Sequence, residues 1–187
     1  MDWERMPRSM PGSLGFVSVH MVFLCICSTV VWWGGSGPAA GWAEVTATSR
    51  ILPSGEAIEL NYRSDGDTWT DTIPIHRAGP VRYFSAGVGM AERAVEYPPF
   101  PIKIVLTAGG KPYVARVGVE IASLDGAIQA AIPVEHVTGP WLFLDLPAGT
   151  YDLTGVRGEE KPQLRRVTVQ PGSSQTLYLR FSADPAH

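Results

Sequence analysis

The sequence predicts an all-β fold, and three observations carry that reading. Beyond residue 44, apolar side chains recur with a period of two rather than 3.6, as half-buried strands require. Glycine and proline, 20 and 16 of them, fall largely between those runs as turn signals. Both cysteines, Cys25 and Cys27, lie inside an apolar run near the N-terminus, so the later chain needs no disulfide and must rest on its apolar core.

The elements follow in order. Residues 1–15 are weakly basic, with Arg5 and Arg8 beside Asp2 and Glu4, and residues 16–33 carry no charge. Small residues come next and end in Gly41-Trp42-Ala43, which predicts a secretory signal over 1–43 removed after Ala43. A start at Met10 leaves a shorter signal. The alternative is an anchor in the inner membrane through residues 16–33, close to the ~20 apolar residues of a spanning helix. Leu24 and Ile26 precede the two cysteines where a lipid-attachment site needs a small residue, so no lipid anchor is expected.

Residues 44–99 read as an annex with one or two strands and a short helix. Ile58, Leu60 and Tyr62 alternate with Glu59, Asn61 and Arg63, and residues 81–88 form a second run. Between them, residues 64–79 are polar and contain Pro74, which reads as a loop. Residues 90–97 suit about two helical turns. Tyr97-Pro98-Pro99-Phe100-Pro101 is a stiff seam before the main domain.

From 100 to 182 the alternation is regular. Ile102, Ile104 and Leu106 form one face, and Tyr113, Ala115, Val117, Val119 and Ile121 another. Leu142 and Leu144 oppose Trp141 and Phe143; then come Tyr151 and Leu153, Val167 and Val169, and Leu177, Leu179 and Phe181. Gly109-Gly110-Lys111-Pro112, Asp125-Gly126, Pro147-Ala148-Gly149, residues 158–162 and Pro171-Gly172 separate the runs. Short strands at this spacing form a sandwich or a barrel. Residues 183–187 are expected to be a disordered tail.

Chemistry is sparse in this sequence. Net charge is −3 and Arg165-Arg166 is the one adjacent basic pair, which argues against nucleic acid as a partner. His76, His136 and His187 are isolated, without metal-ligand spacing. Asp65, Asp67 and Asp71 could surround a hard cation such as calcium, but lack the twelve-residue spacing and closing Glu of an EF-hand. No Gly-x-Ser-x-Gly elbow is present, and Ser54, Ser64 and Ser85 have no readable base. Glu92 and Glu96 share a helix face, where paired carboxylates are ordinarily solvated. No enzyme activity and no cofactor are expected. The candidate binding surface is aromatic: Trp141, Phe143, Trp69 and Tyr178. Trp141 and Phe143 oppose the leucines of their strand, so they face either a partner or the annex.

With these strands placed, residues 101–182 resemble the carboxypeptidase regulatory-like domains, which share the transthyretin-like (prealbumin) fold. The resemblance lies in residues 111–121, in Leu124-Asp125-Gly126, in Gly139-Pro140-Trp141-Leu142-Phe143, in Leu146-Pro147-Ala148-Gly149-Thr150-Tyr151-Asp152-Leu153, and in Val167-Thr168-Val169-Gln170-Pro171-Gly172. The fourth is close to that family's L-P-P-G-x-Y-x-V. Gly87-Val88-Gly89 with Glu92-Arg93 is similar to a segment upstream of such domains in uncharacterised exported bacterial proteins. The resemblance implies a seven-stranded antiparallel Greek-key sandwich without enzymatic activity. The fold's hydrolase branch requires paired His and Arg residues and a Tyr-Arg-Gly-Ser ending, whereas this chain ends Phe181-Ser182-Ala183-Asp184-Pro185-Ala186-His187. The function expected is an exported, non-catalytic module that contacts or supports another envelope or secreted protein. The alternative is a carbohydrate-binding module using exposed aromatics.

Overall fold

The computed structural model describes residues 46–64, 66–109 and 114–182. The leader expected over 1–43, the tail at 183–187 with His187, and Asp65 of the acidic trio lie outside the described residues. The strands are β1 (Thr46–Ile51), β2 (Ala57–Ser64), β3 (Asp67–Pro74), β4 (His76–Ala78), β5 (Val81–Ala86), β6 (Ile102–Ala108), β7 (Gly118–Ser123), β8 (Gln129–Ile132), β9 (Trp141–Asp145), β10 (Gly149–Val156), β11 (Gln163–Val169) and β12 (Gln175–Phe181). A five-residue helix, α1 (Met90–Ala94), follows β5, and a 3-10 turn at Val134–His136 follows β8.

Three sheets result: β1-β2-β3, β11-β10-β7-β8 and β12-β6-β9-β5-β4. Every pairing is antiparallel except β12 with β6, which is parallel. The chain is thus mostly β, as its periodicity predicts.

The four- and five-stranded sheets share one core. Val119, Ile121, Tyr151 and Leu153 from the first pack with Tyr83, Ile104, Leu142 and Leu144 from the second. Burial of each large side chain contributes roughly 1.5–3 kcal/mol. The other face of the five-stranded sheet is also covered. Phe84, Ala86 and Phe143 meet Ile58 and Ile73 of β2 and β3, together with Phe100. Burial on both faces explains why β9 reads as an unbroken apolar run, Trp-Leu-Phe-Leu, rather than a clean alternation.

Several expectations change. Residues 67–74 form a strand, not a loop. Ser64 pairs with Asp67, so two residues close the β2–β3 hairpin, and the second, Gly66, has φ +93°. Left-handed backbone suits glycine there. The strand is cryptic because threonine alternates with Asp and Trp, so no apolar period is visible. Residues 44–99 hold five described strands, β1 to β5, rather than one or two. β5 pairs with β9, setting Phe84 opposite Phe143, and so extends the main sheet.

Of the strand expected over Tyr113 to Ile121, Tyr113 lies outside the described residues, and from Val114 onward the strand begins only at Gly118. Arg116 adopts φ 57° and donates its N–H to Val137 O at 2.8 Å, which breaks the extended path. The helix ends at Ala94 because Val95 is already extended. Gly109 onward and Pro147-Ala148-Gly149 connect strands of different sheets, whereas Asp125-Gly126 closes a true β7–β8 hairpin.

Candidate functional site

The aromatic residues singled out by sequence divide between two surfaces. Trp141, Phe143 and Tyr178 share the outer face of the five-stranded sheet, where pairing sets Tyr178 beside Val105 and Val105 beside Trp141. Phe143 is covered. It is 7% exposed and stacks on Phe84 at 4.5 Å with planes 4° apart, with Tyr97 at 5.0 Å. The Trp141 ring lies under the Lys103 ammonium, 3.6 Å from its centroid. It also lies so close to Gly87 that a Cβ there would be 2.9 Å from its Cδ2. Burial holds the Lys103 ammonium below the usual lysine range, and the cation–π contact compensates part of that cost. Tyr178 stays exposed. Of the three, then, one is core, one is occupied by Lys103, and one is free at the surface.

Trp69 belongs to the three-stranded sheet and is 54% exposed. Its register partner is Tyr62 of β2, a residue placed by alternation but not recognised as part of a site. The same face of β3 carries Asp67 and Asp71, two positions either side of Trp69. Along an extended strand those carboxylates are separated by about 13 Å, so the two do not converge on a cation. Asp71 Oδ1 accepts the Thr72 N–H at 2.8 Å, and Thr70 Oγ1 donates to Asn61 Oδ1 at 2.7 Å on the opposite face. There Arg50 pairs with Glu59 at 2.8 Å. Asn61 and Arg50 together hold the Glu59 carboxyl below its ordinary range.

The histidines are the clearest correction. His76 on β4 and His136 in the 3-10 turn, 60 residues apart, stack with centroids 4.1 Å apart and planes 11° apart. The Tyr83 hydroxyl is 2.7 Å from His136 Nδ1. Burial first, and then the neighbouring His136, holds His76 below the ordinary histidine range. Burial and Glu135 push the Tyr83 hydroxyl up. His76 and His136 line a cavity of about 370 Å³ with Asp71, Ser85, Glu92 and Glu135. Nothing in the sequence signals this encounter, because it depends on β4 and the 3-10 turn meeting across two sheets.

The remaining candidates are structural. Glu92 accepts the N–H groups of Gly87 at 2.6 Å and Val88 at 3.1 Å, while Arg93 Nε donates to Gly87 O at 2.7 Å. The carboxylate thus closes the turn before α1. Glu96 accepts Ser49 Oγ through its carbonyl. Ser85 exchanges two hydrogen bonds with the Gly139 backbone, accepting at 2.8 Å and donating at 3.2 Å. Ser54 accepts the Glu56 N–H. Among the described residues, no group of three or more His, Cys, Asp or Glu could hold a metal ion, and no helix is long and apolar enough to cross a membrane.

In the L-P-x-G-x-Y element the Tyr151 hydroxyl donates to Pro147 O at 2.9 Å, and its ring is buried beside Gly149. Comparison of the chain with family models, with curated proteins and with solved structures finds no match.

Proposed function

We propose that this chain is an exported, non-catalytic β-sandwich module that binds or supports another protein of the bacterial envelope. The observation that carries the reading is the β3 edge. No described strand pairs with its outer side, and six successive residues, 67–72, are exposed. Unpaired edges invite strand addition, and proteins commonly guard them with charged residues, lysine above all, with proline or with brevity. β1 carries Arg50, β11 carries Arg165 and Arg166, β12 carries Arg180, and β4 and β8 span three and four residues. β3 has no basic side chain and reaches its proline only at residue 74.

The carboxypeptidase regulatory-like kinship belongs to the same proposal. Seven strands, β6 to β12, come from the resembling segment and distribute four and three between the two larger sheets. That division, and the Tyr151–Pro147 hydrogen bond, support a Greek-key transthyretin-like core to which β4 and β5 are added.

A photo-crosslinking residue at Thr70 tests the binding role in cells that export the full chain, with Thr154 on the four-stranded sheet as control. A discrete adduct from position 70 and none from 154 supports the proposal; equal or absent adducts at both remove it. Sequencing the N-terminus of exported protein tests the leader, with a start near Glu44 expected and an intact Met1 favouring the anchor. The carbohydrate alternative now rests on Trp69 beside Tyr62, since Phe143 is covered and Trp141 lies under Lys103. A glycan array comparing wild type with Trp69→Ala decides it.

A further inference from the structure

Resting on that interaction reading, we infer that the β3 edge accepts an extended peptide carrying two basic residues four positions apart, which adds as a fourth strand to the β1-β2-β3 sheet. The argument starts from strand geometry. Successive side chains of an added strand alternate between the sheet faces, and each lies about 5 Å from its cross-strand neighbour. Three of its side chains, two residues apart, therefore fall beside Asp67, Trp69 and Asp71. Opposite charges in such pairs stabilise, and like charges destabilise.

Those two carboxylates, like Glu120 of β7, differ from the ion-paired acids of the sheets. Glu59 is paired with Arg50, Asp145 with Arg82 and Asp152 with Arg166. Asp67 and Asp71 form no ion pair with any described residue, and Asp71 accepts only the Thr72 N–H of its own strand. The sheet's own cations do not reach them: Arg50 and Arg63 stand in the rows of Thr72 and Thr68, on the opposite face. Asp71 also shares a cavity with Glu92 and Glu135, two further carboxylates near the C-terminal end of β3. Trp69, half exposed between the carboxylates, offers a ring face to a cation or an apolar side chain.

A second copy of this chain is the competing occupant, and charge argues against it. Antiparallel self-pairing centred on Trp69 would set each Asp67 opposite an Asp71 of the other copy, two like-charge contacts on one face.

The test uses the exported full chain and a fluorescent heptapeptide, Thr-Lys-Thr-Ile-Thr-Lys-Thr, read by anisotropy at low and high salt. A second peptide with Glu in place of both Lys is the control. The basic peptide is expected to bind about tenfold tighter than the acidic one, with the difference shrinking as salt rises. Asp67→Asn with Asp71→Asn should abolish the preference, and Asp67→Lys with Asp71→Lys should reverse it. Both pairs are exposed, and an unchanged circular dichroism melt verifies folding. Equal binding of both peptides, a preference that survives the double variant, or self-association of the wild-type chain that the basic peptide does not displace would overturn the inference. Crosslinks at Thr70 without peptide discrimination would sink the basic partner alone, whereas absent crosslinks would sink the interaction reading itself.

Discussion

His76 and His136 lie ring on ring, 4.1 Å between centroids, and the Tyr83 hydroxyl closes the group at His136 Nδ1. The stack joins β4, an edge of the five-stranded sheet, to the turn that follows β8 of the four-stranded sheet. It is a seam between the two sheets, and its charge state matters to how they hold together.

The sign follows from linkage. His76 is held below its ordinary value of 6.5, so on acidification the unfolded chain takes up this proton before the folded one. The stabilisation is complete above about pH 6.5 and is lost as pH falls below it, down through the depressed folded value. Urea midpoints from about pH 8 to about pH 5 should decline, and His76→Gln should flatten the decline. A wild-type midpoint independent of pH over that range would contradict the placement of His76.

Gly139 should tolerate no side chain. A Cβ there would stand 2.3 Å from Ala86 O, which is backbone of a strand held between neighbours on both sides and has nowhere to move. Gly139→Ala also disturbs the reciprocal Ser85 hydrogen bonds. A loss of about 3 kcal/mol or more in chemical denaturation is expected, against a few tenths for Gly126→Asn, where open space surrounds the site and Asn accepts the left-handed backbone.

Phe143→Ala is predicted to cost about 3–5 kcal/mol, because it empties the centre of the second core between Phe84, Tyr97 and the β2–β3 hairpin. Limited proteolysis should then cut first within residues 46–74. Cleavage that starts in the four-stranded sheet would speak against this packing.

Tyr151→Phe retains the buried ring and removes one hydrogen bond, leaving Pro147 O without that donor. About 0.5–1.5 kcal/mol of stability should disappear. A larger loss would mean that the hydroxyl also orders the turn from β9 into β10.

Much of this architecture was legible in the chain itself. Period-two alternation marks Ile102 to Leu106, Tyr151 to Leu153 and Leu177 to Phe181 as strands, and glycine-containing turns mark where they stop. Those are local signals, written in neighbouring residues. β3 was hidden because its threonines and aspartates have no apolar period, and its strand character comes from pairing with β2. Residues 114–117 misled in the other direction, since an apolar alternation continues through a backbone that turns at Arg116.

The sequence by itself determined the class, all-β and free of disulfides beyond the N-terminal run, because alternation and cysteine position need no partner to be read. Tertiary structure alone decided that Phe143 is core, that Trp141 lies under Lys103, that His76 meets His136, and that no described strand pairs with the outer edge of β3 beside Asp67 and Asp71. Each of those depends on contacts between strands distant in the chain. The energy of such a contact comes from water excluded and charges brought together in space, and neither is encoded by spacing along the backbone.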